Sequence, residues 1–593
     1  MRKLLAVGLA MMLLVAACST SDSDDDATPP STLTTTSSTT APASSTSTTT
    51  TLREPSGPGY GGIAVVAEDQ YPTTLNPFAP GGDNFITTVI GQAWMTGVWD
   101  IDAETLDRIP EVVVDLPTVS NGGVVVDEDG TMTVTYVLRD EAVWSDGVPI
   151  SGEDLAFTVE AALSVEEDAE FETPYTDAGI IGMEPGDKTF TMTLRNPTIA
   201  YETLFQWILP HHAIEETTFP DDWVDELWPS GGPFIIDTID PDTSITAVRN
   251  DLYWKVDPDT GLALPYLDSV EFRFIPETEE VIRAFQAREV DVIQPSPSLE
   301  FSIRPIMSLE ADGAALEVRS GPVWEHVNFQ FGPGRLERSP DSCNENLALR
   351  RAVMHAIDRD AAVADIYGGF VEAATSWLDA YTPSLSSGAW DRYTHDPARA
   401  AELYTQAVAE TGTECAVAFS TTSNADMRPR LADLYVDMLT EAGIPITLDL
   451  LDSQLFFGEV LDDGLWDVGQ WAWVGAPGLS GVVAAHSLFD PSAPPPDGMN
   501  YYRWGTRDSS VRDEHTVRYA EIVERMNATV DDTEIRELIA EAEEILADQA
   551  VVLPLFSRAS VGAVWADEIG GYRYNPSFAS HTWNIEYWYR TDR

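Results

Sequence analysis

Beyond residue 60 the apolar positions follow two rhythms. Met132, Val134, Tyr136 and Leu138 alternate with Thr and Arg after an Asp-rich turn at Gly130. That period of two predicts a hairpin with the valines at 124–126. The stretch 188–197 predicts a further strand, and 61–78 opens with a strand before a Pro-bounded loop. Asp146-Gly147 predicts a turn. Ser151 then caps a helix, with Asp154 at capping-box spacing. Residues 270–293 read strand, helix, strand, a crossover unit suited to an α/β lobe. The helical period dominates 347–369, where Leu349, Val353, Ala356 and Ile357 form one stripe. Helix, strand, helix and strand follow over 396–451, with Gly443 stopping the second helix. A long acidic helix at 531–549 runs into a buried strand. No repeat of fixed period is present. The alternation places the chain in the α/β class.

The first 58 residues follow neither rhythm. Arg2 and Lys3 precede an apolar run from Leu4 to Ala17, and Val15-Ala16-Ala17-Cys18 ends it. This pattern reads as a secretory signal over 1–17. The run is shorter than the roughly 20 residues needed to span a bilayer. A Cys directly after small residues resembles the bacterial lipobox, which implies cleavage before Cys18 and diacylglycerol on its sulfur. Residues 18–58 are rich in Ser and Thr, lack aromatic residues and carry little apolar mass. Such a segment cannot offset the entropy of ordering itself, so it reads as a flexible tether.

About 535 residues remain, too many for one core, so two or three lobes are expected. Lys and Arg number 33 against 98 Asp and Glu, a net charge of −65 spread along the chain. Such a surface repels nucleic acid and anionic headgroups. With Cys18 acylated, Cys343 and Cys415 are left in an oxidising compartment. A disulfide between them is the preferred reading, two unpaired core residues the alternative. No nucleophile motif, phosphate loop or dinucleotide fingerprint occurs. His211 and His212 are adjacent and poorly placed to chelate one ion. The Asp-rich stretch 257–268 lacks the Gly and terminal Glu of a calcium loop. The reading is therefore a protein without catalytic residue, metal or cofactor.

Leu138-Arg139, Trp144, Asp146-Gly147, Glu153-Asp154 and Phe157-Thr158 form a central pattern. Leu75-Asn76-Pro77 precedes it, and Leu209-Pro210, Gly232-Pro233-Phe234, Arg249-Asn250 with Tyr253-Trp254, Trp324 with Asn328, and Ala356-Ile357-Asp358-Arg359 come after it in order. This ordered set resembles one family, the extracellular solute-binding proteins of family 5, which are the peptide-, nickel- and opine-binding components of ABC importers. The resemblance implies a two-lobed periplasmic-binding-protein-like fold (type II, cluster C) with an extra domain and a hinged interlobe cleft. The expected boundaries are 59–98, 232–320 and 553–593 for lobe I, 99–231 for the extra domain and 321–552 for lobe II.

The resemblance also implies a site. Residues 466–478 match the family's ligand-facing loop. Trp471 keeps its aromatic residue, and Val474 stands where peptide-binding members place an Asp for the ligand's amino terminus. An apolar residue cannot anchor an ammonium group removed from water. Thr422, in the loop through Asn424, stands where dipeptide-binding members place an Arg, with Arg428 or Arg430 as substitutes from elsewhere. Trp471 and Trp473 are expected on opposite sides of an extended segment, one toward ligand and one toward core. Tyr71 and Asn328 complete the expected lining. The implied function is a lipid-moored monomer that captures a peptide-like solute by hinge closure and delivers it to ABC permease subunits. It would touch the membrane only through its lipid. A receptor for sugar-like solutes, a sensory binding protein and, last, a secreted hydrolase are the alternatives.

Overall fold

Two strands, Ala314–Phe329 and Val552–Trp565, run 16 and 14 residues, where 5–6 is ordinary. They account for the architecture. The computed structural model describes residues 57–591 apart from 80–81, 83, 169–173, 215–226, 424–426 and 497. The expected signal segment, Cys18, nearly all of the linker and Asn424 therefore lie outside the described residues.

The two long strands pair antiparallel at the centre of a ten-stranded sheet. On one side lie Val292–Ile293, Ile63–Glu68, Ser269–Phe274, Ser244–Arg249 and Phe234–Asp240, in that spatial order. This is lobe I. On the other side lie Val468–Val474, Val417–Thr422 and Ile446–Leu451, which form lobe II. Within lobe I, Ile63–Glu68 is parallel to both of its neighbours. Within lobe II, Val417–Thr422 is parallel to both of its neighbours. Parallel pairs need crossovers, which the helices Thr278–Gln286 and Met427–Glu441 supply.

The ladder between the long strands is irregular at two places, a shift at Glu325/His326 and a wider break between Ser320 and Trp324. Ser320 pairs with Ala559, and the next pair is Trp324 with Ser557. Gly321, Pro322 and Val323 fill the gap, and Pro322 has no N–H for a ladder. The first passage between lobes therefore falls at Gly321-Pro322. On the return strand, Val552 through Ser557 pair with residues beyond the break and Ala559 through Trp565 with residues before it, so Arg558 stands opposite the break.

The extra domain is a four-stranded antiparallel sheet, Val124–Val126, Met132–Val137, Thr189–Leu194 and Ile180–Pro185. The period of two puts Met132, Val134, Tyr136, Phe190, Met192 and Leu194 in its core. At the start of the helix Gly152–Asp168, Asp154 accepts from the Ser151 backbone at 2.8 Å and from the His211 backbone at 2.9 Å. Trp144 is fully buried beside it. His212 pairs with Asp146 at 2.8 Å. This passage is scaffold. Lys255 of lobe I ties the domain down, reaching Glu111 at 2.6 Å and Glu586 at 3.1 Å.

In lobe II the sulfurs of Cys343 and Cys415 are bonded, with Cα atoms 5.5 Å apart. The bridge joins the approach to helix Leu347–Ala356 to the segment after helix Pro397–Thr411.

Candidate functional site: the cleft at the crossing strands

The strand registers set where the loops converge. In lobe II, Val474 pairs with Val323, and the Gly475 N–H donates to the Pro322 carbonyl at 2.6 Å. The carboxyl end of Val468–Val474 thus abuts the crossing. In lobe I, Val292 pairs with Val564 and Ile293 with Ala563, so that strand also runs toward the crossing. Loops leaving the carboxyl ends of parallel strands are where open α/β sheets bind ligands. Here those of both lobes face the same pivot. Thr422 and Val474 end neighbouring strands of lobe II. Tyr71 follows the first strand of lobe I, half-buried and edge-on to Phe274 at 4.9 Å.

A buried charge cluster sits beside the crossing. Glu325, on the first long strand, is fully buried. One of its oxygens accepts from Arg558 Nε at 2.9 Å and from Arg428 Nη2 at 3.1 Å. The other accepts from Gln470 Nε2 at 3.1 Å and Arg428 Nε at 3.3 Å. Burial by itself would raise this carboxyl. Arg428 and Arg558 outweigh burial and hold it at about 2. Arg428 also donates to Thr422 Oγ1 at 2.9 Å. Of the two substitutes for the missing carboxylate anchor, Arg428 does reach Thr422, but Glu325 neutralises it. Arg430 does not reach in, because it pairs with Asp365 on the surface at 2.9 Å. Arg558 keeps one third of its side chain exposed (33%), which leaves one net positive charge at the pivot.

Trp471 and Trp473 require a correction. They do not lie on opposite sides, because side chains two apart on a strand share a face. Trp471 stacks on Tyr502 at 5.6 Å and 13°, and Trp473 Nε1 donates to the Tyr502 hydroxyl at 2.7 Å. Their exposures are 1% and 3%, so both belong to the lobe II interior. Ala472 and Val474, half-buried, occupy the other face with Gln470. Asn328 shares the tryptophans' face. It is fully buried, donating to the Gly469 carbonyl at 3.0 Å and accepting from Trp466 Nε1 at 3.0 Å. Its amide is consumed by packing.

The lobes also meet on the flanks of the pivot. Arg108 of the extra domain lies over the Trp99 ring at 4.7 Å and donates to Ser480 Oγ at 2.9 Å. It pairs with Glu202 at 3.4 Å, and Glu202 accepts from the Ser480 backbone N–H at 3.4 Å. Ser480 stands in the first turn of the lobe II helix Gly478–Ala485, where free N–H groups favour a carboxylate. Burial raises the Glu202 carboxyl, and Arg108 opposes that rise. On the other flank, Gly368 of lobe II adopts φ +62° beneath Leu299 of lobe I; a Cβ there would lie 3.4 Å from its methyls. Sequence reasoning missed Glu325, Arg558, Arg108 and Glu202. The available signal was scarcity, since a buried Arg in so acidic a chain needs a carboxylate beside it. Among the described residues no group of three or more His, Cys, Asp or Glu is arranged to hold a metal ion.

Comparison with known proteins agrees with this geometry. The family model for bacterial extracellular solute-binding proteins, family 5 Middle, matches residues 123–489. The oligopeptide-binding protein OppA of Mycobacterium tuberculosis (strain ATCC 25618 / H37Rv) is 23% identical over 463 residues, covering 73% of this chain and 70% of that protein. OppA of Bacillus subtilis (strain 168) is 26% identical over 261 residues, 40% of this chain and 44% of that one. Among solved structures, the periplasmic EDTA-binding protein EppA superposes with a TM-score of 0.70 at 19% identity, over 93% of this chain and 100% of that one. AppA of Bacillus subtilis in complex with a nonapeptide gives 0.58 at 17% identity, over 90% and 99%. At these identities the likeness is one of fold, the two-lobed binding-protein architecture.

Proposed function

The chain belongs to the bacterial extracellular solute-binding proteins, family 5, and from that premise we propose that it captures a peptide-like solute between its lobes and hands it to an ABC permease. Its relatives are substrate-binding proteins of ABC transporters and not enzymes. The reaction is therefore binding with closure, and no bond of the solute is broken.

The observation that carries this reading is the pair of long strands broken together at Gly321-Pro322 and Arg558. Two covalent passages with one interrupted ladder make a pivot, and strand ends from both lobes converge on it. A solute that touches both lobes shifts the population toward the closed arrangement. Val474 and Thr422 offer no charge of their own, and Arg428 is spent on Glu325. Free dipeptide termini find no dedicated partners there. A longer peptide, held through its backbone with Arg558 as the one partly exposed cation at the pivot, fits better. Lipid on Cys18 moors the receptor outside the cell, and the tether to residue 58 gives it reach to the permease.

The test has two arms. Isothermal titration with peptides of two to nine residues, paired with small-angle scattering, should give saturable binding and a smaller radius of gyration, with peptides longer than two residues preferred. Absence of binding across the series refutes the peptide assignment. Cys18→Ser expressed in a bacterial host should leave the membrane fraction and lose lipid labelling; persistent labelling refutes the mooring.

A further inference from the structure

A pocket of about 170 Å³ opens on the flank of the cleft. Its walls belong to two bodies. The extra domain supplies Trp99, Leu116, Tyr136 and Arg108, and the lobe II helix beginning at Gly478 supplies Leu479. Asp532 and Arg536 line it with side chains 64% and 47% exposed, which marks the mouth.

Size and chemistry narrow the occupant. An apolar cavity of about 150 Å³ holds one benzene ring, so this one accommodates a single six-membered aromatic ring. Polar side chains interrupt the apolar wall, Arg108 and Glu202 together with Asp107 and Thr118. The Arg108 side chain is 8% exposed, and its Nη1 is used by Ser480 and Glu202. Its Nε has no hydrogen-bond partner. A buried donor left unpaired is costly, and because that nitrogen is itself covered, a small shift of the Arg108 side chain is needed to present it to an acceptor in the pocket. The neighbouring hydroxyls do not serve: Tyr136 donates to the Tyr201 carbonyl and Tyr201 to the Pro117 carbonyl, and neither oxygen is within hydrogen-bond reach of that nitrogen.

We infer that this pocket receives an aromatic side chain bearing an acceptor oxygen, a tyrosine-like phenol, from the captured peptide. Its ring packs between Trp99 and Leu479, and its oxygen accepts from Arg108. Because the two walls lie on different bodies, the occupant bridges them and favours closure. The inference rests on the peptide-receptor reading, but the pocket can be probed without a peptide.

The probes are p-cresol, the detached tyrosine side chain, and toluene, titrated into the full chain by calorimetry. p-Cresol should bind saturably, with toluene about fivefold weaker for want of the acceptor. Leu479→Trp fills the pocket and should abolish both. Leu116→Trp fills it from the opposite wall and serves if the first variant loses its near-ultraviolet circular dichroism. No saturable p-cresol binding, or equal binding by a folded filling variant, overturns the pocket. The second arm compares Ala-Tyr-Ala with Ala-Ala-Ala. The tyrosine peptide should bind about tenfold more tightly, and the preference should vanish in the filled variant. If p-cresol binds and neither peptide does, the peptide assignment falls. If both peptides bind equally and p-cresol does not, the pocket falls and the receptor reading stands.

Discussion

Glu325→Gln keeps the shape of a fully buried side chain and removes its charge. Two guanidinium groups, Arg428 and Arg558, then face each other without a counter-ion. The magnitude follows from two directions. A carboxyl held at about 2 in the fold, against 4.5 for its ordinary value, contributes about 3 kcal/mol at neutral pH. Removing one partner from a buried ion pair costs about 3–5 kcal/mol. Both point to a loss near 3 kcal/mol. The sign with pH is fixed by the depressed value. The contribution is complete above pH 4.5 and disappears as pH falls toward 2. Urea denaturation followed by tryptophan fluorescence, at pH 7 and then stepwise through the acid range, reads both effects. His326 and His486, held neutral by burial with values lowered from 6.5 to about 3, add an acid-labile term. The His486 part is common to both proteins; the Glu325 charge raises His326, so the variant lowers His326 further and the difference curve reads Glu325 together with that coupling. The variant should lie about 3 kcal/mol below the parent at pH 7, and the two curves should converge as pH falls from 4.5 toward 2. A difference under about 1 kcal/mol at pH 7, or a gap that persists unchanged into acid, would refute the assignment of a charge-bearing pivot.

Two further expectations concern lobe II. Trp471→Ala opens a cavity among His326, Trp466 and Tyr502 and should cost about 3–5 kcal/mol. Differential scanning calorimetry should show a midpoint lower by about 10 °C, and an unmoved midpoint would contradict the interior placement. Reducing the Cys343–Cys415 bridge frees a loop with a sequence separation of 72, worth about 4 kcal/mol by chain entropy. A urea midpoint that does not respond to reductant would contradict a stabilising bridge.

How far the cleft was legible in the primary structure depends on the range of the interactions involved. The segment 466–478 was expected to be the ligand-facing loop, and its Val474 and Gly475 lie against Val323 and Pro322 at the crossing. The face of that segment was not legible. Trp471 and Trp473 draw attention by size, yet large aromatic side chains bury the most area and so turn to the interior. The smaller Ala472 and Val474 are left on the other side. Glu325 was illegible because its partners Arg428 and Arg558 stand 103 and 233 positions away. The flank contact of Arg108 with Ser480 spans 372 positions. No local pattern encodes such pairs.

Local chemistry is what the residue order alone determined. The period of two built the extra domain's sheet, the capping pair Ser151 and Asp154 started its helix, and the strand–helix–strand unit at 270–293 set the parallel pairing of lobe I. These outcomes rest on backbone geometry and side-chain alternation within a few residues, which any stretch carries with it. Tertiary structure alone decided where the two long strands break, which face of Val468–Val474 is buried in the interior, and which arginines are spent on Glu325. Those choices depend on which distant groups share a low-dielectric interior. A charge buried there must be neutralised by whatever the fold brings within reach.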